Sequence, residues 1–432
     1  SGDYTTYNVI DNIVPIINSF TVENVTENSI KVSVNAEDNE SGLAESGTYA
    51  YYKNGSLVET SESNTCTYTG LTAQTEYELK VIVKDQGGKT TERITSGTTS
   101  KKKSEIEQAR EDGTIFDKTT DLKDDEDNTI WIPGGFGVDE ESSTNQDEGI
   151  VITDKDGNEF VWVPVPDPST MFVYQTATLS DRVTKTNKYS KLRLREEDEE
   201  DLTASIPGDF STGKLREPDV VTDVDLNPDY MNKLGYNSIN EMASGLVKEY
   251  TEMANSIEKY YGFYIGRYEL SGTKSKPTVQ KGTVITLEDW YGYKKLCEEV
   301  IQNNSYAKSI MIYGCQWDET MSWLKRTKFA GQEEKVDKDS RSWGNFVDST
   351  GEANIEGAGK TQITGYSKYW SANNIYDLAG NYHEWTQEAC DFINRVKRGS
   401  FYMNSSPVSI RLRGASDVID GFVTARVALI VN

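Results

Sequence analysis

Histidine is nearly missing: the 432 residues contain one, His383. A nucleophile–base dyad or a three-ligand zinc site would rest on that single imidazole, and the sequence places no serine or cysteine beside it. Its position between Tyr382 and Glu384 at strand spacing suits a structural or contact role. Cysteine is scarce as well, limited to Cys66, Cys297, Cys315 and Cys390. Their spacing matches neither a zinc site nor a small disulfide scaffold; it leaves a Cys297–Cys315 bridge open and the redox compartment unfixed. No apolar run approaches a membrane span, and no signal peptide is visible, so membrane insertion is not expected. Ser1-Gly2 reads as a cloning remnant, which leaves a removed leader or anchor open. Basic residues are outnumbered, 45 Lys and Arg against 70 Asp and Glu, giving a net charge of −25. That balance argues against nucleic acid or an anionic membrane as partner. Gly134-Gly135 lacks the lysine and helix of a phosphate loop, and nothing in the chain calls for a metal or cofactor.

Aromatic residues are plentiful, with 25 Tyr, which points to a folded chain. From about 13 to 100 the pattern is all-β: Ile30, Val32 and Val34 alternate, Asp38 to Gly42 is a turn cluster, and Tyr77, Leu79, Val81 and Val83 keep strand spacing. Short strands with turns between them predict a β-sandwich. The corner from Leu71 to Tyr77 and the strand after it resemble a fibronectin type III or Ig-like module. No loop there is rich in aromatic or arginine residues, so a spacer is expected. Residues 101–127 read as a linker with partly helical pattern at Ile106 and Ala109.

A second domain is expected over 128–432, with an insertion at 167–258. Asp154 to Glu159 has the start of a calcium-loop spacing, but Glu159 stands where glycine is needed; a hairpin turn between Val151 and Phe160 is expected instead. The insertion holds an acidic run, 196–201, and then a helix to Tyr260 whose Ile239, Met242, Leu246, Tyr250, Met253 and Ile257 share one face. Phe263 to Leu270 reads as a core strand. Thr286 is the expected cap of one helix and Asp318 of another, Glu319 to Lys325. Lys328 to Trp370 reads as loop.

The C-terminal stretch carries Asp377-Leu378-Ala379-Gly380-Asn381, Glu384-Trp385-Thr386, Arg398-Gly399-Ser400 and Arg426-Val427-Ala428-Leu429. In combination these resemble the formylglycine-generating-enzyme-like branch of the C-type lectin fold, and within it the variable proteins of diversity-generating retroelements. The resemblance covers roughly 128–166 and 255–432. It implies a multidomain chain, an N-terminal all-β sandwich followed by an α+β lectin-like domain. The catalytic members use a cysteine pair near the arginine-glycine turn and the last strand. Here 400–432 has no cysteine, so an inherited oxidase activity is not expected.

Between the motifs, apolar and charged residues mix without a sustained period, which suits an exposed binding surface. The resemblance places diversified contact residues at Phe401, Tyr402, Met403, Ile410, Leu412, Arg413, Asp417, Val418, Ile419, Asp420, Phe422 and Val423, joined by Tyr382, His383, Phe392, Ile393, Asn394 and Lys397. Leu378, Trp385, Arg426, Val427 and Leu429 are the expected scaffold. The expectation is a non-enzymatic recognition protein with a protein or surface-glycan receptor, displayed outside the cell on a phage tail or bacterial surface. An oxidase on the same fold and a purely structural stalk are the alternatives; a deep polar pocket near Trp385 would favour the first.

Overall fold

A computed structural model describes residues 11–171, 228–327, 335–336, 339–389, 394–405, 407–409 and 412–432. The chain divides into two compact units at Lys103/Ser104.

In the first unit, residues alternate between solvent and core along each strand. Ile30, Val32 and Val34 of β2 (Ile30–Glu37) point inward, as do Tyr77, Leu79, Val81 and Val83 of β6 (Glu76–Lys84). One sheet joins β1 (Ile16–Val25), β2 and β5 (Thr65–Tyr68). The other runs β4 (Ser56–Ser61), β3 (Tyr49–Lys53), β6, β7 (Thr90–Thr98). The two apolar faces share one core, so the unit is a β-sandwich. Its turns are closed by side chains: Asp38 accepts the N–H groups of Glu40, Ser41 and Gly42, and the Tyr77 hydroxyl accepts the Thr72 N–H at 2.8 Å.

The second unit begins with α1 (Glu105–Asp112). Ser104 caps its start and Gly113, at φ 61°, ends it in the left-handed region. Ile106 and Ala109 are buried in the same core as Ile130 and Phe136. The segment expected as a linker therefore contains a helix packed into the second unit, because its two apolar positions fall on one face.

A ribbon of β8 (Thr120–Lys123) and β9 (Thr129–Ile132) leads to the main sheet. That sheet is antiparallel, in the order β10 (Phe136–Val138), β11 (Val151–Asp154), β12 (Glu159–Pro164), β13 (Gly262–Gly266), β23 (Val427–Val431), β16 (Ala307–Met311). Both of its faces are covered. Phe160, Trp162, Tyr264, Val427 and Leu429 enter one core; Val161, Val163, Phe263, Ile265, Ala428 and Ile430 enter another. This explains why these strands read as unbroken apolar runs. The β11–β12 hairpin is closed by Asp154, whose carboxylate accepts the N–H groups of Asp156 and Asn158.

The acidic run at 196–201 lies outside the described residues. After it come α3 (Pro228–Lys233) and α4 (Ile239–Tyr260), with α2 (Pro168–Met171) before it. Met242, Leu246, Met253 and Ile257 of α4 are buried on one face, as its period requires. Helix α5 (Trp290–Glu298) starts later than expected. Leu287 takes φ 63°, which no helix tolerates, so Asp289 rather than Thr286 is the cap, accepting the Gly292 N–H at 2.8 Å. Helix α6 (Gly314–Arg326) starts earlier than expected, after Tyr313, and Asp318 lies inside it. Two short ribbons, β14–β15 (Ser271–Thr273, Lys276–Thr278) and β17–β18 (Ser371–Ala372, Ile375–Tyr376), punctuate the loops.

Candidate functional site

The C-terminal motifs build a second small sheet in the order β21 (Leu412–Ala415), β20 (Asn394–Arg398), β19 (His383–Ala389), β22 (Val423–Ala425). β19 and β22 are parallel, His383 opposite Val423 and Trp385 opposite Ala425. Three arginines pin this sheet from within. Arg426 donates to Glu384 at 2.7 Å and to the carbonyls of Gly266 and Tyr376 at 2.9 Å each. Arg398 donates to Asp318 at 2.6 Å. The Arg395 guanidinium lies 3.9 Å from the Trp290 ring centre. All three are buried, and the scaffold residues Leu378, Trp385, Val427 and Leu429 are buried with them.

The run Asp377 to Asn381 is a brace beneath the loops. Gly380 has φ 82°, and a Cβ there would stand 2.2 Å from the Asn345 carbonyl, so a side chain is excluded. Asp377 accepts from the Thr364 hydroxyl at 2.9 Å and the Gly365 N–H at 2.8 Å. Asn381 donates to Glu269 at 2.6 Å, accepts the Gln362 N–H at 2.9 Å, and its carbonyl accepts the Tyr402 N–H at 3.3 Å. Burial pushes the Asp377 carboxyl up to about 6. Burial, reinforced by the charges of Asp377 and Glu384, holds Glu269 well above the usual carboxylate range. No three His, Cys, Asp or Glu side chains among the described residues are arranged to hold a metal ion.

Above this brace, rings meet at the surface. Phe401 lies 5.0 Å from His383, 5.8 Å from Tyr402 and 5.6 Å from Phe422, centre to centre. Met403, Val418, Ile419 and Phe422 are 57, 52, 61 and 45 % exposed. Asp417 is exposed; Phe401, Tyr402, Asp420, Tyr382 and Lys397 are half-buried. Asp420 shapes the turn by accepting the Phe422 N–H at 2.8 Å and stands 3.9 Å from the Lys397 ammonium. The sequence reading missed two members. Val347 is exposed and donates its N–H to the Tyr402 carbonyl; Leu287 is exposed, beside Gly421. Each stands close to buried apolar neighbours, Phe346 in one case and Val284 and Ile285 in the other, so the sequence does not mark it as the outward one.

Three residues expected to face outward do not. Leu412, Val423 and His383 are buried. Leu412 pairs with Lys397, and Val423 pairs with His383, inside the small sheet. β21 and β22 are too short for alternation to be read, and β19 is buried at every position from His383 to Glu388, so it has no alternation to show. Phe392, Ile393 and Ile410 lie outside the described residues; Asn394 and Arg413 are placed only as members of β20 and β21. Cys297 and Cys315 are buried thiols that no disulfide joins; Cys390 lies outside the described residues.

No family model and no curated protein matches the chain. Solved structures match its N-terminal part. The PKD1 domain of Vibrio anguillarum Epp is 18 % identical over 21 % of this chain and 100 % of that one, at a TM-score of 0.18. The fibronectin type-III domain of human fibronectin type III domain containing protein 3 is 16 % identical over 21 % and 92 %, at 0.19. Titin module A71 from human cardiac muscle is 20 % identical over 18 % and 84 %, at 0.17. These neighbours are fibronectin type III and Ig-like modules or a PKD domain; the β-sandwich of the N-terminal unit itself is read from its two sheets and shared core. Likeness this distant says nothing of what the chain binds.

Proposed function

We propose that the chain is a non-enzymatic recognition protein and that its C-terminal unit, a C-type-lectin-like domain of the retroelement-diversified kind, offers the Phe401–Phe422 surface to a protein receptor. The supporting observation is the separation of roles. Met403, Val418, Ile419 and Phe422 project into solvent, while Trp385, Arg398 and Arg426 hold the frame from inside. Side chains on such a surface change at small cost to the fold. Exposed aromatic and aliphatic anchors on a braced loop lose little ordering entropy when a partner covers them. Display outside the cell, on a virion tail or a bacterial surface, belongs to the same proposal. No helix among the described residues is long and apolar enough to cross a membrane.

The test is a receptor screen comparing the wild-type chain with a variant carrying Ser at positions 403, 418, 419 and 422. Binding is expected to vanish while Tm stays within a few degrees. Equal capture of the same receptor by both chains overturns the assignment.

A further inference from the structure

A second concave surface shares no residue with the loop face. It is a cleft of about 710 Å³ between the Gly134-Gly135 turn, the β11–β12 and β14–β15 hairpins and the α5–β16 loop. Its floor is backbone. A Cβ on Gly134 would meet the Tyr306 ring at 2.5 Å, and one on Gly135 would meet Asn304 at 2.8 Å, so the glycines let both side chains lie flat against the turn. Asn304 is fully used as a brace, donating to the Gly134 carbonyl and accepting from the N–H groups of Tyr306 and Ala307. Tyr306 is thereby fixed, yet 37 % exposed, in the same cleft as the half-buried Phe116.

Around these rings stand polar side chains that make no hydrogen bond or ion pair among the described residues. The Asn303 amide is exposed on a residue at φ 57°, and the carboxylates of Asp117 and Asp156 are exposed as well. Lys155 and Lys276 add positive charge that the neighbouring carboxylates offset. A mixed lining of this kind is not built for an anion, and too many of its groups are charged for a lipid. A fixed ring flanked by an amide, which both donates and accepts, and by carboxylates, which accept, matches a ligand with one apolar face and a periphery of hydroxyl groups. We infer that this cleft binds a neutral saccharide, with Tyr306 stacking under a sugar ring and Asn303, Asp117 and Asp156 bonding its hydroxyls.

The experiment screens the whole chain against neutral oligomers of glucose, mannose, galactose and N-acetylglucosamine, then titrates the strongest by calorimetry. Wild type is expected to bind at least one oligomer at millimolar concentration or tighter. Tyr306→Ala and Asn303→Ala should each weaken it by about tenfold or more, and the loop-face serine variant should bind as wild type does. Should Tyr306→Ala lower Tm, Asn303→Ala and the exposed Asp117→Asn decide the matter. The inference is overturned by silence of the wild type across the panel, by unchanged titrations in Asn303→Ala and Asp117→Asn, or by loss confined to the loop-face variant.

Discussion

The Arg398 guanidinium is sealed inside the protein with the Asp318 carboxylate 2.6 Å away and Glu388 at 3.8 Å. Removing either partner of such a pair strands a charge in a medium that cannot solvate it. Arg398→Ala and Asp318→Ala should each cost ~3–5 kcal/mol, measured by urea unfolding, while Arg398→Met with Asp318→Leu should recover part of that loss. A cost under ~1 kcal/mol for the single variants would mean the pair behaves as an exposed one. At this scale the buried arginines divide by legibility. Arg426 opens the terminal run Arg426-Val427-Ala428-Leu429 and was readable as scaffold, although its partner Glu384 comes from a separate motif. The partner of Arg398 was not, because Asp318 stands eighty positions away and looks locally like a helix cap. The outward group was legible where several large residues gather, as at Val418, Ile419 and Phe422. It was illegible at Val347 and Leu287, which the fold brings to the surface from separate loops.

Among the elements, α5 shows how a local signal misleads. Thr286 followed by Asp289 mimics a capping box, but the chain turns left-handed at Leu287 and the helix begins only after Asp289. Asp289 also takes the Lys233 ammonium at 3.0 Å. Asp289→Ala should therefore lose ~1 kcal/mol or somewhat more in chemical unfolding, while Thr286→Ala should be near neutral. The reverse order would restore Thr286 as the cap. The strands of the main sheet were easier to read, since long apolar runs such as Phe160 to Val165 leave little ambiguity. The small sheet was harder: β21 and β22 have four and three residues, too short for a period.

For the whole molecule, buried carboxyls set the dependence on pH. Burial pushes Asp377 up to about 6 from 3.8 and Glu319 up to about 7 from 4.5, the latter despite Arg326. A raised carboxyl favours the folded state most below its unfolded value, and that advantage is lost as pH climbs through the folded value. Tm should thus rise as pH falls from 8 towards 5. Below that window the trend reverses. Glu249 is buried, and burial opposes its ionisation, but Lys294 and Lys308 draw it down to about 2; its contribution is therefore lost as acid protonates it. Asp377→Asn with Glu319→Gln should flatten the rise in a calorimetric series. A Tm that falls steadily from pH 8 to 5 in the wild type would show that other groups dominate.

The seating of β23 between β13 and β16 bears on how the protein is made. On the ribosome, the N-terminal sandwich has all of its strands long before translation reaches Val427. The main sheet of the second unit stays split, with the edges of β13 and β16 unpaired, until the latest-made of its six strands emerges. A stop codon or frameshift shortly before Val427 would leave a closed sandwich attached to an open, aggregation-prone half.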